Sequence, residues 1–135
     1  MGKASTRQTE NDGRGTLSIR TLAMPADINP SGDIFGGWLM SQMDIAGAIA
    51  AHARAGGRVV TVGVEAMTFH LPVHVGDVVC CYTDIVKTGR TSMTVQVEVW
   101  VLRDRNTANK VMVTAGTFTY VAMGADGEKR ALPPT

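Results

Sequence analysis

The stretch "IFGGWLMSQMDIAGAIAAHA", residues 34–53, restricts the fold more than any other part of the chain. Wound as a helix it is apolar nearly all the way round, so most of its surface needs cover. Asp44 nevertheless lies near its middle, where a carboxylate without partners is costly. Gln42, Asp44 and His52 interrupt the run and no Lys/Arg-rich flank precedes it, which favours a core helix over a membrane span. The helix is expected from about Phe35 to about Arg54, closed by Gly56 and Gly57 in "AGGR".

After the helix the hydrophobic period changes to two. Strands are expected at 58–69, 77–87, 91–103 and 110–122, with a shorter one before the helix at 16–24. In "TSMTVQVEVWVLR", Met93, Val95, Val97, Val99 and Val101 face one way, and Thr94, Gln96, Glu98 and Trp100 the other. A hairpin-like turn is expected at Lys87-Thr88-Gly89-Arg90, and "RDRNTANK" reads as a polar loop. Strands joined by short links form an antiparallel sheet, and curling that sheet round the helix covers both elements. The fold class is therefore α+β, one domain over residues 16–123. Residues 1–15 and 124–135 read as disordered tails. An open sheet leaves edges exposed, which favours dimerisation through edge strands or helices.

At 100° per residue, Ser41, Asp44, Gly47, Ala48 and Ala51 share one side of the helix, with Gly37 two turns back. Glycine inside a helix costs about 1 kcal/mol relative to alanine, so Gly47 implies close approach by another backbone or by a ligand. Asp44 is either a working carboxylate or a structural one, paired with a cation or turned to solvent. Gly36 and Gly37 start the helix, where unpaired amides face a positive dipole end; they form either an oxyanion or phosphate site or merely a tight turn. Asn29, held extended before Pro30, either makes an Asx turn or offers its amide to a ligand.

Other classes fit poorly. Net charge is +1 with no basic cluster, which argues against nucleic acid. The two cysteines, Cys80 and Cys81, are adjacent and should point to opposite faces of a strand, so no disulfide framework is expected. That usage, with a polar rather than apolar start, points to a reducing, cytoplasmic location and no membrane association. "MGKAST" fits the loose myristoylation pattern but reads as tail. His70 and His74 are separated by Pro72 and lack a third ligand, so no metal is expected. No G-x-S-x-G elbow is present. The methionines Met24, Met40, Met43 and Met67 read as core filling.

Together, "TLAMPADINPSGDIFGGWLMSQMD", "GRVVTVGVEAMTF", "PVHVGDVVCCY" and "ALPPT" resemble the YciA-type acyl-CoA thioesterases of the hotdog superfamily. The resemblance spans residues 16–133 and meets every position of N-x-x-G-x-I-F-G-G-W…D. It implies a five-stranded curved antiparallel sheet around one central helix. It also implies hydrolysis of acyl-CoA to acid and CoA without metal or organic cofactor. Asp44 would be the catalytic carboxylate, as general base or nucleophile, and Asn29 its partner from a different subunit. The Gly36 and Gly37 amides would polarise the carbonyl. A homohexamer, built as a trimer of dimers, is the assembly that the resemblance implies.

The phosphates of CoA need cations, for which Arg58, Lys87, Arg90 and Arg130 are candidates in or near loops. Two alternatives on the same fold are a hydroxyacyl-thioester dehydratase and a noncatalytic acyl-CoA sensor. The first usually pairs a histidine with the helix carboxylate, and residues 25–45 contain none. The second would need an effector domain, and the tails are too short for one.

Overall fold

The computed structural model describes residues 15–103 and 110–135. Strand β1 (Thr16–Leu22) leads through a single 3-10 turn, Pro25–Asp27, to helix α1 (Gly36–Ala55). Four longer strands follow: β2 (Val59–Phe69), β3 (Val78–Thr88), β4 (Ser92–Leu102) and β5 (Lys110–Ala122). They form one antiparallel sheet in the order β1-β3-β4-β5-β2, wrapped round α1, which touches every strand. This is the hotdog arrangement. The N-terminal segment expected as a tail lies outside the described residues, save Gly15. Most of the "RDRNTANK" loop lies outside them too.

Period and composition account for the elements. On β4, Met93, Val95, Val97, Val99 and Val101 are fully buried against α1, as alternation demands. Cys81 joins that core whereas Cys80 packs on the outer face with Tyr82 and Leu102; both thiols are free. The helix stops where Gly56 adopts φ 71, its N–H bonding the carbonyl of His52. The β3–β4 turn closes with the Gly89 N–H bonded to the Ser92 carbonyl.

Two arrangements differ from expectation. First, α1 is covered on one side only. Leu39, Met43, Ala46, Gly47 and Ala51 are buried, but Ile45 and Ile49 remain about half exposed, and Met40 lies beside them. Edge strand β2 is also open over most of its length. A single sheet of this size reaches round one face of a helix, not all of it.

Second, residues 124–135 fold back on the domain. Met123 bridges Lys129, a turn with Gly127 at φ 81 reverses the chain, and Arg130 N–H bonds the Ala122 carbonyl. Leu132 packs on the core and donates its N–H to the Arg90 carbonyl, while Arg54 Nη1 donates to the Pro133 carbonyl at 2.7 Å. Most of these bonds use backbone groups, which a polar composition does not reveal.

Strand β2 carries two bulges against β5, at Thr61/Gly63 and at Glu65/Thr68. The second contains Ala66 with φ 54, the sole non-glycine residue at positive φ among the described residues. Beyond it, Phe69 lies against Gly36 at the start of α1: a methyl there would sit 3.3 Å from the ring.

Candidate active site

Asp44 projects from the middle of α1 towards the β2–β5 pair. Thr61 and Tyr120 are direct register partners across those strands, so their side chains emerge together on the helix side. Thr61 Oγ1 donates to Asp44 Oδ1 at 2.7 Å. The Tyr120 hydroxyl lies 3.0 Å from the same Oδ1 and 2.9 Å from the Asp44 backbone carbonyl. In one chain the carboxylate is half-buried rather than enclosed, and the cost of its partial burial is met by these two hydroxyls.

Gly47 explains how Tyr120 comes so near. A methyl at Gly47 would lie 3.0 Å from ring carbons Cε2 and Cζ and would overlap the hydroxyl. The close neighbour implied by that glycine is thus an aromatic side chain, not a backbone or a ligand. Burial, together with the charge and hydrogen bond of Asp44, raises the Tyr120 phenol well above its usual range. It is a lasting donor and not a proton-transfer group at neutral pH.

Asn29 makes the Asx turn foreseen as one alternative. Its Oδ1 accepts from the N–H groups of Ser31 and Asp33, at 2.9 and 3.1 Å, while Gly32 takes φ 92. The turn leads directly into α1, capped at Phe35 without a side-chain bond. Asn29 and Gly36 line a cavity of about 350 Å³ with Leu39, Phe69 and His70. A methyl at Gly37 would meet nothing within 4 Å, so the space beside its Cα is open, although Gly37 does not line the cavity. The first-turn amides have no helical acceptor and point towards this end. Asp44 is not among the cavity's lining residues. It lies eight residues further along, roughly 12 Å at helical rise. Within one chain, therefore, Asn29 and Gly36 come together and Asp44 stands apart from them.

Of the four candidate cations, three have their backbones near the Met123 turn. The Met123 N–H bonds the Arg58 carbonyl, Arg130 Nε donates to the Met123 carbonyl at 3.1 Å, and the Arg90 carbonyl accepts from Leu132. Of these only Arg90 lines the adjoining cavity of about 590 Å³, with Lys129, Glu128, Val60 and Met123. Lys87, paired with Thr94 along β3, is not in its lining. His70 and His74 do not converge on a common point with other ligands: among the described residues no group of three His, Cys, Asp or Glu side chains is placed to hold a metal. His74 Nε2 instead faces Asp33 at 3.8 Å. Among those residues no helix is long and apolar enough to cross a membrane.

The profile of the thioesterase superfamily matches residues 31–108, which include α1 and Thr61. The chain belongs to that superfamily. Within it, the acyl-CoA thioester hydrolase YciA of Escherichia coli K12 is 56% identical over 127 residues, covering 93% of this chain and 96% of the relative. The hexameric thioesterase y2039 of Yersinia pestis superposes with a TM-score of 0.87 at 56% identity, covering 91% of this chain and 99% of the other. HI0827, a hexameric broad-specificity acyl-coenzyme A thioesterase solved as an aspartate-to-alanine mutant, superposes at 0.85 with 52% identity, covering 89% and 88%. This chain is thus a thioesterase-superfamily member of the YciA type.

Three residues beside these candidate groups escaped sequence reasoning. Thr61 and Tyr120 belong to strands read only for alternation, and nothing local marks their hydroxyls as partners of Asp44. Lys129 fell in a segment read as tail. The one available signal was Gly47, whose position in α1 announces a close neighbour without naming it.

Proposed function

We propose that this chain hydrolyses acyl-CoA thioesters to the free acid and CoA, with Asp44 as general base. The observation that carries the reading is the carboxylate itself. It has one oxygen held by two hydroxyls and the other free, in a chain more than half identical to an acyl-CoA thioester hydrolase. Asp44 takes a proton from water as the water oxygen attacks the thioester carbonyl. The Gly36 and Gly37 amides receive the developing oxyanion at the positive end of α1. Collapse of the intermediate breaks the C–S bond, and the thiolate leaves with the proton returned from Asp44. The Asn29 side chain orients water or thioester.

A site shared between two subunits is supported by the separation of Asp44 from the Asn29 cavity. The exposed Ile45, Ile49 and open β2 edge flank Asp44 and would be covered by a second copy. The solved relatives y2039 and HI0827 are hexamers, and we infer the same trimer of dimers here. Arg58, Arg90 and Arg130, joined by Lys129, supply the cationic end for CoA phosphates. Lys87 is further along β3 and is a weaker partner. A cytoplasmic location accords with two free, buried thiols.

The test is thiol release, measured across acyl-CoAs of increasing chain length. Turnover on CoA esters at rates well above the uncatalysed reaction supports the reading. Binding without turnover would leave a sensor and remove the enzyme.

A further inference from the structure

Rotation about the last bond of an aspartate is broad and nearly two-fold, so an untethered carboxylate presents either oxygen at many angles. Asp44 is not untethered. The Tyr120 ring is fully buried and stacks on Phe118, with centroids 6.4 Å apart, which fixes its hydroxyl in space. That hydroxyl sits between two acceptors of one residue, the Asp44 carbonyl and Oδ1. Since the carbonyl belongs to the rigid helix, the shared hydrogen bond ties the carboxylate to the helix backbone. Thr61 donates to the same Oδ1, and among the described residues no group donates to Oδ2.

We propose that Tyr120 is a positioning residue for Asp44: its hydroxyl, admitted by Gly47, pins Oδ1 and turns Oδ2 towards water and thioester. This rests on Asp44 acting as the base. Gly47 belongs to the same device, because any side chain there would expel the hydroxyl. Glycine inside a helix is destabilising, so its presence here marks the close approach of this side chain. Ring carbons Cε2 and Cζ also crowd the position, but the hydroxyl makes the tightest approach of all.

Tyr120→Phe removes the hydroxyl and leaves the ring. In the intact assembly, kcat should fall roughly tenfold to a hundredfold with KM retained, the scale of one bond to a charged group. Tm should stay close to wild type. Gly47→Ala keeps the hydroxyl but displaces it, and should produce the same fall in kcat with KM retained. It also carries the test should Tyr120→Phe fail to fold. A lowered Tm with kcat and KM both at their wild-type values would mean a role in packing alone, which overturns the proposal. Asp44→Ala separates the failures. If it is inactive while Tyr120→Phe matches wild type in kcat and KM, only the Tyr120 assignment falls. If Asp44→Ala is itself fully active, the base assignment falls and takes this one with it.

Discussion

Thr61 and Tyr120, paired across β2 and β5, deliver their hydroxyls to one oxygen of Asp44, at 2.7 and 3.0 Å. Neither is a cation, and among the described residues Asp44 has no salt-bridge partner. Asp44→Ala should therefore lower kcat by about 10² to 10⁴, the usual range for a positioned base. Circular dichroism and Tm should stay close to wild type, because the carboxylate is not part of the core.

Asn29 stands in the turn before α1, and Asp44 at the helix's middle. Asn29→Ala and Asp44→Ala should each be nearly inactive as homo-oligomers. Mixed under conditions of subunit exchange, they should recover part of the activity through dimers with one intact site. Absence of recovery, with exchange demonstrated by mass spectrometry, would place both residues in one chain's site.

Isotope transfer separates base from nucleophile. In a single turnover in ¹⁸O-water, a base mechanism puts the label directly into the released acid. Direct attack by Asp44 would instead break the C–S bond, expel the CoA thiolate and form a mixed anhydride, which water opening at the aspartyl carbonyl would leave labelled in the protein carboxylate. Mass spectrometry of the acid and of the peptide containing Asp44 reads the outcome. We expect the label in the acid.

Arg103 holds Asp77, whose side chain is only 5% exposed, through bonds at 3.0 and 3.3 Å, and also reaches the Pro72 carbonyl. Asp77 in turn accepts from the His74 N–H. Removing one partner strands a buried charge, so Arg103→Ala should cost about 2–3 kcal/mol, less than a fully buried pair because Arg103 is partly exposed. A urea titration measures it. Pro72 lines the Asn29 cavity, so KM should rise as well.

Alkali should destabilise the protein. Burial, with Cys80 alongside, pushes the Cys81 thiol from 9.0 up to about 12, and the Tyr120 phenol is raised in the same direction from 10.0. Above pH 9 the unfolded chain releases these protons while the folded chain keeps them, so unfolding gains. The stability is present in full below pH 9 and is lost as pH rises towards about 12. Denaturation midpoints should fall across that window, and Cys81→Ala should flatten part of the fall.

Periodicity made most of the fold legible. The limits of α1 and the four later strands lie within a residue or two of those read from the chain, since a period of two or 3.6 is local information. The opposite facing of Cys80 and Cys81 follows from the same rule. The Asn29 turn, too, is encoded locally, by Asn-Pro followed by Ser-Gly. Asp44 and Tyr120 are 76 residues apart, and they meet only because β2 pairs with β5 and not with its sequence neighbour β3. No short window contains that choice. The half-exposed state of Asp44 was equally out of reach, since it depends on how far the sheet can wrap.

The two bulges divide β2 into three short runs, each set one residue further along against β5 than the one before. The first run presents Thr61 to Asp44, and the last places Phe69 as a wall of the Asn29 cavity. Because Thr68 and Phe69 keep their pairing with Ala115 and Thr114 only through those extra residues, a change in length must be absorbed at a bulge or slide one end of the strand along β5. The spacing along this one strand therefore ties the Asp44 end of the site to the Asn29 end.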